Sequence, residues 1–142
     1  QGTPGGPARF RSVMILETWT PRILSILRIF TGLALLQHGT AKWLGFPVVP
    51  QLANASAMSL SGIAGLIELV GGLLFIAGLF TRSTAFVLSG LMAAAYFIAH
   101  APRSFYPILN GGEIMVLYSF AFLYFAAKGP GPWSLDAKLK TA

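Results

Sequence analysis

The chain has 142 residues, 55% of them hydrophobic and only 10% charged, against roughly 25% charged in an average soluble domain. That balance, with a mean hydropathy of +0.70, excludes a soluble globular domain and points to an integral membrane protein. The net charge of +6 lies outside the apolar runs without aromatic interleaving, which favours an anionic membrane face and excludes nucleic acid as a partner. The absence of cysteine excludes disulfides, thiol chemistry and thiolate metal sites, so any redox role needs a bound group.

In chain order, residues 1–12 are Gly/Pro-rich with Arg9 and Arg11, and residues 1–20 are expected to be a disordered or interfacial tail. The first apolar run is followed by Gln37, His38 and Lys42 rather than a cleavage site, so it reads as a retained helix. A membrane helix needs roughly 20 mostly apolar residues, and four segments qualify: about 21–44, 61–80, 83–100 and a shorter one at about 112–127. Pro21 suits a helix start because its missing N–H is no loss there. A loop with Pro47 and Pro50 follows the first span, a tight turn at Thr81 and Arg82 makes the second and third antiparallel neighbours, and Pro102 and Pro107 separate the third from the fourth. The run Gly129, Pro130, Gly131, Pro132 ends the last span, and Trp19, Trp43 and Trp133 fall where interfacial anchors belong.

With both termini on one side, that side carries Arg9, Arg11, Arg22, Arg28, Arg82, Lys128, Lys138 and Lys140 against Lys42 and Arg103 opposite, which places the termini in the cytoplasm. The expected fold is therefore all-α, an integral membrane four-helix bundle with residues 21–128 as its one domain and 129–142 as a C-terminal tail.

The chemistry concentrates at the outer end. Glu68 stands inside an apolar run, where a carboxylate costs roughly 2.5–3.5 kcal/mol on insertion scales. At about 1.5 Å rise per residue, His38 and Glu68 come level, roughly 9 and 10 Å from the outer helix ends. Lys42 shares the face of His38 one turn on, and His100, Asn110 and Glu113 lie toward the same end, with Tyr96 and Tyr118 able to add hydroxyls. Each has a plainer reading: Glu113 as a helix-dipole cap, Lys42 as a snorkelling side chain, Arg28 as an inner-interface anchor, and His38 as a satisfied structural group. Glu68 is too deep for an interfacial role, and its plain reading is an ion pair with Lys42 or His38. The two histidines and the glutamates match no metal-ligand spacing, so no metal is expected.

The series Arg28-x3-Gly32, His38-Gly39-x2-Lys42, Glu68-Leu-x-Gly-Gly-Leu-Leu-x3-Gly-Leu-Phe-Thr-Arg82, Asn110-Gly-Gly-Glu113 with Tyr118, and Lys128-Gly-Pro-Gly-Pro-Trp-Ser-Leu-Asp136 resembles the DoxX family of small four-helix membrane proteins. The resemblance covers residues 22–136 and departs at Gly111-Gly112, where a single glycine is expected. It implies a bacterial or archaeal cytoplasmic membrane and association with oxidoreductases, since relatives include a membrane subunit of a thiosulfate:quinone oxidoreductase. It points to Arg28, His38, Lys42, Glu68, Asn110 and Glu113. The combined expectation is a redox-associated subunit with Glu68 and His38 as proton-handling residues and with Arg28, Lys42, His100, Asn110, Glu113 and Tyr118 binding a ligand, a quinone being the candidate. Such a subunit needs a soluble or membrane redox partner besides the bilayer, and a homo-oligomer stays open. The alternatives are a non-enzymatic binder, chaperone or assembly factor for a lipid, metabolite or protein, and a purely structural cluster.

Overall fold

A computed structural model describes residues 7–52 and 56–140, with side chains from residue 17 onward. Every regular element in it is helical: α1 Pro7–Leu44, α2 Leu60–Ala77, α3 Thr81–Ala95 widening into a π-helical turn Tyr96–His100, the short α4 Pro107–Asn110, α5 Glu113–Lys128, and α6 Leu135–Lys140. Among the described residues, three stretches are long and apolar enough to cross a membrane: Glu17–Leu44, Leu60–Ala77 and Thr81–His100. The segment expected as a fourth span folds as α5, whose 16 residues reach only about 24 Å.

Two boundaries differ from expectation. Helix α1 begins at Pro7, with Pro21 in its interior, so the segment read as a tail is helical from residue 7, and residues 1–6 lie outside the described part. A proline keeps a helical φ and removes one backbone bond, a loss the uninterrupted run 13–20 survives. The segment after α5, read as a C-terminal tail, instead folds back against the bundle, as described below.

Helix α1 packs along α2, α3 along α5, and α2 against α3. The α1–α2 crossing is close because Gly39 presents no side chain. A Cβ there would meet the Leu69 amide nitrogen at 2.6 Å and the Gly65 carbonyl oxygen at 3.0 Å. Small residues at crossings are how helices in lipid gain van der Waals contact. This contact also fixes the register, setting residues 38–39 level with residues 68–69.

The centre is aromatic, with Phe75 meeting Phe122 and Phe125 edge to face, both at 5.1 Å. Beside it, Ser89 and Ser119 donate to each other's carbonyls at 2.8 and 3.1 Å, joining α3 to α5. Around that apolar core several polar side chains are buried too, Ser25, Arg28, Glu68, Ser89 and Asn110, while Phe30, Phe86, Phe97 and Phe120 are exposed. That distribution suits a hydrocarbon solvent, where helices must satisfy polar groups internally.

The α2–α3 turn is closed by Gly78, whose φ of +68° lets the Leu79 amide reach back to the Leu74 carbonyl at 3.0 Å. Asp136 then caps α3 from a distance, its two carboxylate oxygens accepting from the Phe80 and Thr81 amides at 2.8 Å each. Burial works against the charged form of Asp136. The Thr81 and Phe80 hydrogen bonds and the nearby Lys140 outweigh it, and the carboxyl lies below its usual range. A depressed folded value means this contribution is complete above the ordinary aspartate value near 3.9 and fades only as pH falls through the lower folded value. Asp136→Asn is accordingly expected to lower thermal stability in detergent by about 1 kcal/mol at neutral pH. The difference from wild type should shrink in strong acid, and melting curves at both pH values check it.

Candidate functional site

The helices have two distinguishable ends. One carries the α1–α2 and α3–α5 loops and Lys42; the other carries the α2–α3 turn, the end of α5 and Arg28.

At the Lys42 end, the α1–α2 register brings Lys42 against Glu68. The ammonium donates to both carboxylate oxygens, at 3.0 and 2.8 Å, with side chains only 10% and 7% exposed. The ion pair thus neutralises the one deep carboxylate of α2. Next to it, Trp43 donates from its indole nitrogen to the Gly62 carbonyl at 2.9 Å, fixing the start of α2.

On the α3 side, the π-helical turn and α4 build a second polar set around buried Asn110. Its amide nitrogen donates to the Ser104 carbonyl at 2.8 Å and the Tyr96 hydroxyl at 3.3 Å, and its side-chain oxygen accepts from the Gly112 amide at 2.8 Å. These bonds define the chain reversal into α5, so Asn110 serves the fold. The second glycine is explained here too: a Cβ on Gly112 would meet the Tyr96 ring at 2.6 Å, and α5 starts one residue later than expected. His100 Nδ1 lies 3.0 Å from the Asn110 carbonyl oxygen. A carbonyl only accepts, so Nδ1 carries the hydrogen, and in the neutral ring Nε2 is left as an acceptor.

The third location is the interface of α1 with α5. Tyr118 is half-buried, stacked on Phe122 at 5.8 Å, and lines a cavity of about 320 Å³ with Phe30, Thr31, Ala34 and Leu117. His38 is half-buried one turn beyond Ala34 on the same face of α1. Among the described residues neither His38 nor Tyr118 has a hydrogen-bond partner.

The expected single cluster is thus three neighbouring ones, with no hydrogen bond or ion pair between them among the described residues. Glu113 is exposed at the first turn of α5, in keeping with a favourable helix-dipole position. Groups of three or more His, Cys, Asp or Glu able to hold a metal are absent among the described residues.

Arg28 corrects an expectation. It is fully buried at the far end, and its donors are taken by backbone carbonyls: Nε to Pro130 at 2.9 Å, one terminal nitrogen to Phe75 and to Ile76 at 2.6 Å, the other to Trp133 at 2.5 Å. It closes the C-terminus of α2 and holds the segment after α5 against α1, a structural role at the end opposite to the other candidate residues. The Trp133 amide donates to the Ser25 hydroxyl at 3.1 Å in the same clamp. Arg82, expected in the α2–α3 turn, also caps α5 through the Ala126 and Ala127 carbonyls at 3.1 and 2.5 Å.

Comparison with known proteins agrees with this architecture. An uncharacterized protein of Haemophilus influenzae is 46% identical over 127 residues, covering 87% of this chain and 95% of the relative. A second uncharacterized protein of the same organism is 27% identical over 125 residues, covering 82% and 83%. No solved structure matches. The DoxX family model matches residues 23–101, a stretch that includes Arg28, the Lys42–Glu68 pair and the π-helical turn, and the chain belongs to the DoxX family.

Proposed function

We propose that this multi-pass membrane protein is a ligand-binding subunit of the cytoplasmic membrane that works with a redox partner, its ligand a quinone or a molecule of similar size and polarity. The observation that carries the reading is a pair of unpartnered, half-buried hydrogen-bonding side chains: Tyr118, which lines the cavity at the α1–α5 interface, and His38, one helical turn beyond the cavity-lining Ala34. Half-buried polar groups in a lipid-facing bundle are costly unless something satisfies them. A quinone supplies an acceptor of two electrons and two protons. The Tyr118 hydroxyl and the His38 ring suit its carbonyl oxygens as donors. Glu68, level with His38, is a buried carboxylate suited to passing a proton, and Lys42 sets its charge. His100 offers Nε2 at the same end of the bundle. The chain has no cysteine, and electrons must come from the partner.

Both termini are proposed to be cytoplasmic. Arg28 and Arg82 are spent on capping, yet that end still carries Arg22, Lys128, Lys138 and Lys140 against Arg103 at the other, Lys42 being neutralised. The functional unit is residues 21–128 together with the docked segment 129–140, and α5 is read as the fourth span.

His38→Phe combined with Tyr118→Phe is expected to reduce the small molecule retained by detergent-purified protein at least tenfold, measured by mass spectrometry of extracts, with the melting temperature preserved. In the protein with its redox partner, Glu68→Gln is expected to change quinone-dependent turnover. Undiminished retention together with unchanged turnover would sink the reading. The closed geometry of the Lys42–Glu68 pair favours a second reading, a non-enzymatic binding or assembly protein. That reading is marked by a co-purifying lipid or partner without any redox signal.

A further inference from the structure

The pairing of α1 with α2 and of α3 with α5 leaves a groove between α1 and α5. On α1 its wall is the stripe Thr20, Leu24, Leu27, Thr31 and Ala34, spaced by three or four residues so that one helical face lines it throughout. Beyond the cavity beside Tyr118, a second one of about 400 Å³ lies at the Arg28 end. Its mouth is framed by Glu17 from α1 and by Lys128 from the last turn of α5, with Leu24, Leu27 and Tyr124 below. The two charges line one cavity from opposite helices, yet among the described residues neither makes an ion pair or a hydrogen bond. Arg22 stacks on Trp19 at 5.0 Å beside this mouth, the kind of aromatic-basic pairing found at headgroup depth.

We propose that this mouth binds a phospholipid with a zwitterionic phosphoethanolamine headgroup, Lys128 taking the phosphate, Glu17 the ammonium, and the first part of one acyl chain lying along Leu24 and Leu27. A facing cation and anion that do not neutralise each other match a headgroup carrying both signs, and apolar walls directly below match its chain. A net anionic lipid would bring its charge against Glu17. The site lies at the end opposite to His38 and Glu68, and its test is independent of the ligand proposed there.

The full chain is purified in detergent, given equal amounts of phosphatidylethanolamine and phosphatidylglycerol of the same chain composition, and examined by native mass spectrometry. The expected result is several-fold greater retention of phosphatidylethanolamine, inverted toward phosphatidylglycerol in Glu17→Gln and lost for both lipids in Lys128→Gln. Leu27→Trp, which fills the groove and leaves the charges in place, should lower retention as well. Glu17 and Lys128 are exposed, so their variants should melt with wild type. Equal retention of the two lipids, or a preference that survives both charge substitutions, overturns the proposal. So does a dimer that replaces the lipid adducts and disappears in Leu27→Trp.

Discussion

Glu68→Gln alone is expected to destabilise the protein by roughly 3–5 kcal/mol, because it strands a buried ammonium, and Lys42→Met by a similar amount for the stranded carboxylate. The double substitution should cost far less than the sum, since two neutral side chains leave no charge uncompensated. Geometry sets this expectation: both carboxylate oxygens are engaged by one ammonium at 3.0 and 2.8 Å, and neither side chain is more than 10% exposed. Surface pairs are worth roughly 0–1 kcal/mol, so a large coupling would identify a pair shielded from water. Unfolding titrations of the four proteins in one detergent measure it directly. Additive losses would mean that water or another group reaches Glu68 when Lys42 is gone, and the pair would then not be what holds α1 to α2 at this depth. Quinone-dependent turnover of the stable double variant with its redox partner separates function from folding: unchanged turnover there removes Glu68 from the proton-passing role.

Arg28→Met is expected to be at least as severe, and its signature should be local as well as global. Hydrogen bonds to a charged donor are worth roughly 1.5–3 kcal/mol each, and this guanidinium serves Phe75, Ile76, Pro130 and Trp133. Helix ends leave carbonyls unsatisfied unless something reaches them. Losing the guanidinium should therefore open the C-terminus of α2 and release the segment after α5. The expected readout is proteolytic cleavage after Lys128, Lys138 or Lys140 at enzyme concentrations that leave wild type intact, together with a lower melting temperature. Arg28→Lys should not restore protection, because a single ammonium cannot span acceptors arranged around a planar fork. Wild-type resistance to protease in Arg28→Met would show that Asp136 and Ser25 suffice to hold the segment.

Much of the bundle was legible in the residues. Runs of apolar side chains located α2, α3 and α5 to within a few residues, since only hydrocarbon-length stretches interrupted by Gly and Pro offer themselves as spans. Depth arithmetic set His38 level with Glu68, and the contact of Gly39 with Leu69 agrees. The plain alternative for Glu68, a pair with Lys42, is what forms. The start of α1 was misplaced because Pro21 suits a first helical turn better than an interior one, yet its fixed φ is helical and the helix runs through it. The role of Arg28 was hidden for a different reason: its acceptors are backbone carbonyls 47 to 105 residues away, and a carbonyl has no sequence signature. The same holds for Asp136, which caps a helix 55 residues before it. Residues at one depth were read as one pocket; among the described residues no hydrogen bond or ion pair links the Lys42–Glu68 pair with the set around Asn110.

The Arg28 clamp bears on how the chain is made. Helix α1 emerges first during synthesis carrying a guanidinium whose acceptors lie in the second helix and beyond the last one. Until residues 130–133 leave the ribosome, that charge has only the carbonyls of Phe75 and Ile76 to meet, and before α2 arrives it has none of these. The first membrane segment is therefore incomplete by itself, and a chain stopped before Pro130 retains a buried charge with half its acceptors missing. The tie between the first helix and the last loop therefore closes only after the last loop has been made.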